Sequence, residues 1–365
     1  MRLTKCISGV RPFVAEDIPA VTALHRNVFG GDPETRSEYE AYFRTAYLEN
    51  PSRDGIVEPL VCEENGEIVG FLGSVVRRMI WQGEPIVAAL GTNFAVSEKS
   101  RGMAGVKLLG AFLGGRQDLS ISDVVASSAR KLWEGLGGST SLLHSVRWVL
   151  LLLPTRAALD VVRKRPRFSA VARLLDPGAR ALDALAQRFP KSPFRRRESS
   201  LVADPLNCSD MLSHAGRLTR SFSLRVNYDE ASLLWMLRRA DEMNATGNLQ
   251  KVLLRTAQGQ IVGWYLYYAN SGGIGDVLQI TAEDCWLAEA FDHLCAHALS
   301  RGVVGLTGRL ERGLLEPLSR RVCVFDRQQS WVLVHSRRQP LVDTFQRGDA
   351  FFSRLEGEWC MRFKG

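Results

Sequence analysis

The stretch from Asn93 to Leu113, NFAVSEKSRGMAGVKLLGAFL, decides the fold. A β-rich strand end at Phe94-Ala95-Val96 passes into a polar turn with small residues, and apolar residues with helical spacing begin near Val106. Small residues let the backbone approach a ligand closely, and the free N–H groups of a helix start favour an anion such as pyrophosphate. Lys99 and Arg101 add positive charge. The stretch therefore predicts a phosphate-binding strand–turn–helix junction, with a junction that holds no ligand as the alternative.

The sequence around this junction predicts a mixed sheet with helices on its faces. Asn65-Gly66 is typical of a type I′ turn, so residues 58–63 and 67–80 are expected to form a hairpin, and Gln82-Gly83 is a second tight turn. The other predicted elements are strands over 6–13, 84–96, 119–122 and 143–153, and helices over 16–29, 101–113 and 126–136.

The second half of the chain repeats this order. A hairpin around Gln258-Gly259, a strand over 276–280, a helix over 283–300 and a strand over 303–309 follow one another. We therefore predict an internal duplication. Glu283 and Asp284 at the helix start would repel a phosphate there, so a second cofactor is not expected.

The positive charge of the chain is concentrated in one connecting segment. The formal net charge is +8, and residues 163–197 hold eleven basic residues against Asp176 and Asp183, a net of +9, which leaves −1 for all the others. The connector as a whole, from Pro154 to Arg197, also contains prolines and two short predicted helices, over 159–162 and 170–185. A solvated linker is one interpretation, and a peripheral membrane or anionic contact through 148–197 is the other. Sequence-specific nucleic-acid binding is not expected, because no binding-fold signature accompanies the charge.

The cysteines and the hydropathy pattern favour a cytoplasmic location. The seven cysteines are scattered and form no CxxC pair, which suits a reducing compartment. The N-terminal residues lack the apolar region of a secretory signal, and the most apolar run, 148–153, is far shorter than the roughly 20 residues of a membrane span.

Several motifs together resemble the GNAT (GCN5-related N-acetyltransferase) superfamily. The 93–113 stretch is similar to its acyl-CoA loop, Arg/Gln-x-x-Gly-x-Gly/Ala after a V-x-P-E-type strand end. Val10-Arg11-Pro12 with Glu16-Asp17 resembles its first strand and helix, and DVVASSARKLWEGLGG at 123–138 resembles its late helix. The resemblance covers roughly residues 7–150. It implies an α/β (α+β mixed sheet) fold, with a degenerate second GNAT-like domain in tandem: residues 1–153, a basic connector at 154–199, and residues 200–365.

The resemblance also implies where acyl-CoA binds. The loop can be aligned on Lys99-x-x-Gly102-x-Ala104 or on Arg101-x-x-Ala104-x-Val106, and both alignments stay open. The residues expected to bind acetyl-CoA or another acyl-CoA are Phe94, Ala95, Val96, Lys99, Arg101, Gly102, Met103, Ala104, Gly105, Val106 and Trp133.

The usual acid–base residues of the family are replaced in this chain. Trp133 stands where many members have a tyrosine acid, Ala126 where an asparagine is frequent, and Asn93 near the place of a glutamate base. Asn93 and Ser128 are the candidate catalytic residues, and Ser128 could equally belong to the first turn of its helix. A tryptophan cannot donate a proton to a thiolate, but a thiolate is a tolerable leaving group without an acid.

Two weaker signals lie in the second half. Asp349, Glu356 and Glu358 could recognise an acceptor amine or be ordinary turn and surface residues. His293 and His297 are four residues apart on a predicted helix, but no third ligand accompanies them, so no metal is expected.

The resemblance implies an N-acyltransferase in which an amine attacks the thioester directly. Its partners would be acyl-CoA and a primary amine of a small molecule, sugar or peptide. The replaced residues keep open a catalytically silent acyl-CoA-binding or scaffold protein. The basic connector keeps open a Fem-like aminoacyl transferase.

Overall fold

The computed structural model describes residues 9–30, 36–163, 169–189, 191–243, 247–326 and 330–363. Among them are two mixed β-sheets and eleven α-helices. The start of the strand predicted over 6–13, like parts of the connector, lies outside the described residues.

The first sheet has nine strands. They are β1 (Gly9–Pro12), β2 (Leu60–Glu64), β3 (Glu67–Trp81), β4 (Glu84–Val96), β5 (Leu119–Val125), β6 (Ser139–Ser141), β9 (Leu224–Val226), β15 (Trp331–His335) and β16 (Ala350–Phe351). The main order is β1-β2-β3-β4-β5-β15-β6, and β9 pairs with the far end of β3 and with β16. All pairs along this main order are antiparallel except β4 with β5.

The second sheet has seven strands. They are β7 (Arg147–Leu151), β8 (Val202–Pro205), β10 (Asn248–Arg255), β11 (Ile261–Ala269), β12 (Ile274–Ala282), β13 (Gly305–Arg309) and β14 (Cys323–Asp326). Their order is β14-β7-β13-β12-β11-β10-β8, and β12 with β13 is the parallel pair.

The helices connect and cover the sheets. They are α1 (Ile18–Phe29), α2 (Arg36–Phe43), α3 (Met103–Leu113), α4 (Ser127–Gly135), α5 (Pro154–Arg163), α6 (Ser169–Arg188), α7 (Cys208–Leu218), α8 (Glu230–Glu242), α9 (Leu287–Ser300), α10 (Leu315–Ser319) and α11 (Gln339–Gln346). Helix α3 links the parallel strands β4 and β5, and α9 links β12 and β13.

Both sheets are buried on two faces because their long strands alternate. On β3, Phe71 and Val75 join one apolar cluster, whereas Leu72 and Val76 join another on the opposite face. This period of two places large side chains on both sides of one strand. The predicted hairpin is present, since Asn65 and its following glycine have the positive φ values, 54° and 84°, that a type I′ turn requires.

The two sheets have the same strand order, and each is completed by a strand from the other half of the chain. The series β2-β3-β4-β5-β15 in the first sheet corresponds to β10-β11-β12-β13-β7 in the second. In each series the last strand is antiparallel to its neighbour. The internal duplication read from the sequence is therefore present in the strand order.

The strand predicted over 143–153 is formed, but not where the sequence order suggested. It was expected to close the sheet of the first half, whereas β7 pairs with β13 and β14 in the second sheet. Strand β15 occupies the place beside β5 instead. The reason is that an apolar strand pattern specifies burial on both faces and carries no information about the neighbouring strand. The two sheets therefore do not coincide with residues 1–153 and 200–365.

Among the described helices, none is long and apolar enough to cross a bilayer.

Candidate functional site

The site begins where the two parallel strands of the first sheet separate. Strands β4 and β5 pair only from Ala88 with Leu119 to Leu90 with Ile121, although both continue beyond that point. In β4 the register against β3 shifts just beyond this pairing, where Asn93 takes a φ of 49°. Such a bulge bends a strand away from its neighbour. The two strands therefore separate into a V-shaped opening.

A cavity of about 710 Å³ occupies this opening. Gly91 to Phe94 line it from β4, and Ser122 with Val124 and Val125 line it from β5. The loop before α3, the start of α4 and the segment 358–362 complete its walls. The size is in the range of pockets that bind cofactors and small ligands.

Most of the residues expected to bind acyl-CoA line this cavity. These are Phe94, Val96, Arg101, Gly102, Gly105, Val106 and Trp133. Ala95 and Ala104 instead pack in the apolar clusters on the two faces of the sheet, because alternate strand positions and the inner face of α3 point there. Lys99 and Met103 are exposed outside the cavity wall.

The first turn of α3 opens at the rim of the cavity. Gly102 precedes the helix with φ 109° and ψ −85°, a conformation that favours glycine. Its carbonyl accepts from Val106 N at 2.9 Å, which starts the helical pattern and leaves the earlier N–H groups without intrahelical acceptors. Arg101 is 61% exposed, with its guanidinium 3.3 Å from Glu98 Oε1. This rim can bind an anion through its N–H groups and the exposed guanidinium of Arg101.

A carboxylate from the end of the chain lies in the same cavity. Glu358 is partly buried, and its Oε1 accepts from Ser122 Oγ at 2.5 Å and from the backbone N of Asp123 at 3.0 Å. Val124 N donates a third, longer bond of 3.3 Å to the same oxygen. In return Glu358 N donates to Asp123 Oδ1 at 2.6 Å. These contacts fix the carboxylate against β5 at the mouth of the V-shaped opening.

The residue that Glu358 contacts, Asp123, belongs to a buried ion pair that joins the two sheets. Asp123 on β5 is fully buried and bonds to the guanidinium of Arg309 on β13, which is 8% exposed. The Arg309 guanidinium also lies 3.4 Å from the carbonyl of Ser353. Burial, together with the neighbouring Asp123 carboxylate, raises the pKa of Glu358 to about 7. A carboxyl group with this pKa can both take up and release a proton at neutral pH.

The side chain of Asn93 is occupied by a hydrogen-bond network. Its Nδ2 donates to Tyr42 Oη at 2.5 Å and to Tyr47 Oη at 2.6 Å, and its Oδ1 lies 3.3 Å from His25 Nε2. Tyr42 in turn donates to the carbonyl of Met361. Burial lowers the pKa of His25 and raises the pKa values of both tyrosines, so all these groups are neutral at pH 7. The network holds the bulge of β4 and the 358–361 segment together.

Ser128 and Trp133 both line the cavity from α4. Ser128 is exposed in the first turn of the helix, whereas Trp133 is 4% exposed and donates from Nε1 to the carbonyl of Val334 at 3.2 Å. The indole therefore fastens α4 to β15 and presents an apolar surface to the cavity. The catalytic roles of Asn93 and Ser128 remain predictions.

Apart from Glu358, the weaker candidates of the second half do not line the described cavity. His293 and His297 are hydrogen-bonded at Nδ1 to the hydroxyls of Tyr265 (3.0 Å) and Tyr267 (2.9 Å). Glu356 is fully buried and accepts from Gln279, Ser353 and Tyr228. Asp349 pairs with Arg312 at 3.5 Å. Of the three acids named near the end of the chain, Glu358 alone is a lining residue of the described cavity.

Solved structures share this architecture over most of the chain. A probable N-acyltransferase from Enterococcus faecalis is 10% identical and superposes with a TM-score of 0.57, covering 90% of this chain and 73% of its own. A GCN5-related N-acetyltransferase from Anabaena variabilis is 13% identical, with a TM-score of 0.56 and coverages of 90% and 72%. Another from Kribbella flavida is 13% identical, with a TM-score of 0.52 and coverages of 89% and 70%. No family model matches the sequence, and no curated protein matches it significantly.

The chain has the GNAT fold. The mixed α/β fold that the resemblance implied is thereby confirmed, and the two sheets of equal strand order fit a tandem GNAT arrangement. Within this GNAT fold, the separating strands and the loop before α3 belong to the first sheet. The position of Glu358 in the cavity was not predicted, because it depends on a contact between residues more than 230 positions apart. The acidic residue in the aromatic segment Gly357-Glu358-Trp359 was the one available signal.

Proposed function

We propose that this protein is an N-acyltransferase that moves an acyl group from acyl-CoA to a primary amine. The acceptor class is a small molecule, sugar or peptide amine. The observation that carries the proposal is the combination, in one cavity, of an anion-binding helix start, a V-shaped opening between parallel strands, and a carboxylate with a pKa near 7. The solved structures that share the fold support acyl transfer as the reaction class.

Acyl-CoA would bind along the wall formed by β4 and α3. Its pyrophosphate would contact the N–H groups at the start of α3 and the guanidinium of Arg101. The pantetheine is itself an amide chain, so it can pair with the backbone of β4 where β5 has diverged. The apolar residues Leu72, Leu109 and Trp133 would then surround the acyl group.

The reaction requires that the amine lose a proton. The amine attacks the thioester carbonyl carbon, a C–N bond forms, and the C–S bond breaks with release of the CoA thiolate. Glu358 is proposed to accept the proton from the amine. Among the hydrogen bonds of the described residues, three reach its Oε1, which leaves Oε2 for the substrate. The N–H groups of Asp123 and Val124 already bond to Glu358, so a backbone N–H group of β4 would have to polarise the carbonyl oxygen.

The leaving group needs little help from the protein. A thiol pKa near 8.5 makes the thiolate stable enough to depart at neutral pH. Ser128 can donate a hydrogen bond to the sulfur from its exposed position at the start of α4. Trp133 cannot serve as an acid, since its one N–H group is bonded to a backbone carbonyl and does not ionise at neutral pH.

Calorimetry with CoA tests the binding step. The wild-type protein should bind CoA with micromolar-scale affinity, and Gly102→Glu should abolish binding by placing a carboxylate at the helix start. Gly102→Ala introduces the strain of a side chain at φ 109° without the charge and should bind more weakly than wild type but measurably. Gly216→Glu on α7, where an added Cβ contacts nothing within 4 Å, is the matched charge control and should bind normally. A wild-type protein that does not bind CoA would refute the proposal.

Turnover is tested separately. Release of free CoA thiol from acetyl-CoA and longer acyl-CoAs should be accelerated by members of a panel of primary amines. Binding of CoA without turnover for any amine would instead favour a silent acyl-CoA-binding or scaffold protein. Acyl transfer that requires charged tRNA would favour a Fem-like aminoacyl transferase.

A further inference from the structure

We propose that the hairpin of α5 and α6 carries a surface that binds anionic phospholipid membranes. This surface is defined by the exposed side chains of α6 and of the turn that follows it: Leu174, Leu175, Leu182, Leu185, Phe189, Arg188, Lys191, Arg195 and Arg196. The inference is independent of the acyl-transfer site and of any catalytic activity.

The apolar part of this surface is a continuous stripe on one side of α6. Leu174 is 82% exposed, Leu182 is 59% exposed and Phe189 is 57% exposed. Leu175 and Leu185 are each 53% exposed. At 100° per residue the four leucines of α6 fall within an arc of about 100°, which makes one face of a helix, and Phe189 directly follows the end of that helix. Together they expose on the order of 500 Å², at the upper end of what soluble monomers show.

A different side of α6, next to the stripe, is already used for packing. Ala179 and Asp183 are 3% and 2% exposed, and the Asp183 carboxylate accepts from the backbone N of Thr155 at 2.9 Å and of Arg156 at 3.1 Å. These bonds cap the start of α5 and fix the rotation of α6 about its axis. The leucine stripe is therefore held outward by the contacts behind it.

The cations cluster at the end of the stripe. Arg188 and Lys191 flank Phe189, and Arg195 and Arg196 follow within the next turn, all four exposed. The two acids of residues 174–197 do not offset them, because Asp183 bonds to backbone N–H groups and Asp176 pairs with Arg180 at 2.7 Å. An apolar stripe that ends in a cluster of exposed positive charges is the composition of helices that lie in a membrane interface.

This charge also argues against the other occupants. A second copy could cover the leucines, but the same surface offers no acid to pair with the cations, because Asp176 and Asp183 are already bonded. A nucleic acid would use the cations but has no place for four leucines and a phenylalanine on the same face. An anionic bilayer satisfies both halves of the surface at once, because its headgroups neutralise the cations while its acyl chains cover the leucines.

Sedimentation of the full-length protein with phospholipid vesicles tests this inference. The protein should co-sediment with phosphatidylcholine vesicles that contain phosphatidylglycerol, less so at high salt, and not with phosphatidylcholine alone. Leu182→Gln with Leu185→Gln should reduce the partition coefficient about tenfold or more by removing apolar area without changing charge. Neutralising Lys191, Arg195 and Arg196 to Gln should reduce it on the order of 100-fold. Leu142→Gln, which alters a leucine of the same 59% exposure elsewhere, should bind like the wild type.

Several outcomes would overturn the inference. Binding to neither kind of vesicle would do so, as would vesicle binding that the two leucine substitutions leave unchanged. Equal binding to neutral and anionic vesicles would also contradict it. A dimer that dissociates in the leucine variant, with no vesicle binding by the wild type, would assign the stripe to a second copy. All the substituted side chains are exposed, and an unchanged circular dichroism melting curve would exclude misfolding.

Discussion

Replacing Glu358 by Gln tests the proposed proton acceptor most directly. The amide is nearly the same size and its Oε1 can still accept from Ser122 and from the backbone of β5, so the cavity wall should persist. The variant removes the one group of the cavity wall whose pKa, about 7, suits proton transfer at neutral pH. Loss of a general base lowers a rate by about 10²- to 10⁴-fold. We expect kcat at pH 8 to fall in that range, with the affinity for CoA unchanged.

The pH profile supplies the magnitude that follows from the structure. Because the carboxylate form of Glu358 is the active one, the wild-type kcat at saturating substrates should rise through about pH 7 and level off above it. At pH 6 about one tenth of the enzyme has the carboxylate, so kcat should be about tenfold below its plateau. Asp123→Asn removes the neighbouring charge that raises this pKa, and should move the midpoint of the rise to lower pH.

Thiol-release kinetics from pH 5 to 9 give the profile, and Glu311→Gln is the matched control. Burial raises the pKa of Glu311 to about 8, but this residue does not line the cavity, so its variant should keep the wild-type profile. A Glu358→Gln variant that retains both the wild-type rate and the rise near pH 7 would refute Glu358 as the proton acceptor. A Glu311→Gln variant that loses as much activity as Glu358→Gln would refute it as well.

Three further predictions concern the surroundings of the site. Arg309→Met leaves the Asp123 carboxylate buried without its partner, and should lower the free energy of unfolding by about 3–5 kcal/mol in denaturant titrations. Arg255→Met, which breaks a more exposed pair, should cost about 1 kcal/mol or less, and equal costs would contradict the assignment. Burial and a nearby guanidinium lower the pKa of His144 to about 3, so stability should decrease as pH falls from 6.5 towards 3, by up to about 1.4 kcal/mol per pH unit. In denaturant titrations at different pH values, His144→Gln should reduce the dependence of the free energy of unfolding on pH. An unchanged dependence would show that protonation of His144 is not its cause. Gly91→Val places a Cβ 3.1 Å from a phenylalanine ring at the cavity wall, so it should cost about 1–3 kcal/mol of stability and weaken CoA binding in calorimetry; wild-type values for both would contradict the proposed crowding.

Local elements were predictable because their signals are local. Asn65-Gly66 specified a hairpin turn, and the strand predicted over 84–96 coincides with β4. The partner of each strand was not predictable in the same way. Strand β7 reads as an ordinary apolar strand, and only its hydrogen bonds to β13 and β14 show that it belongs to the other sheet. Strand β15 and its place beside β5 were not predicted at all.

The residues of the candidate site also differ in how far they could be predicted, depending on whether their signal is local or long-range. The loop proposed to bind an anion is a continuous run of sequence, so its cavity-lining residues Arg101, Gly102 and Gly105 could be named before the structure was known. Glu358 was named only as one of three acids that could recognise an amine. Its place in the cavity depends on the packing of the last described residues against α2 and α8, where Arg239 bonds to the carbonyl of Arg362. On α2, the ring of Tyr39 stacks on the ring of Phe363, with the two ring centroids 3.7 Å apart.

The exchange of β7 and β15 has a consequence for the order of events during synthesis. The first sheet lacks the strand between β5 and β6 until residue 335 has left the ribosome, although most of its other strands are complete some 200 residues earlier. During that interval the edge of β5 is an unpaired template for foreign strands, and chaperones would be expected to engage it. Pairings of such long sequence separation also make folding slow. A fragment that stops after the first half should therefore be unable to complete its fold, although it contains the whole loop proposed to bind acyl-CoA.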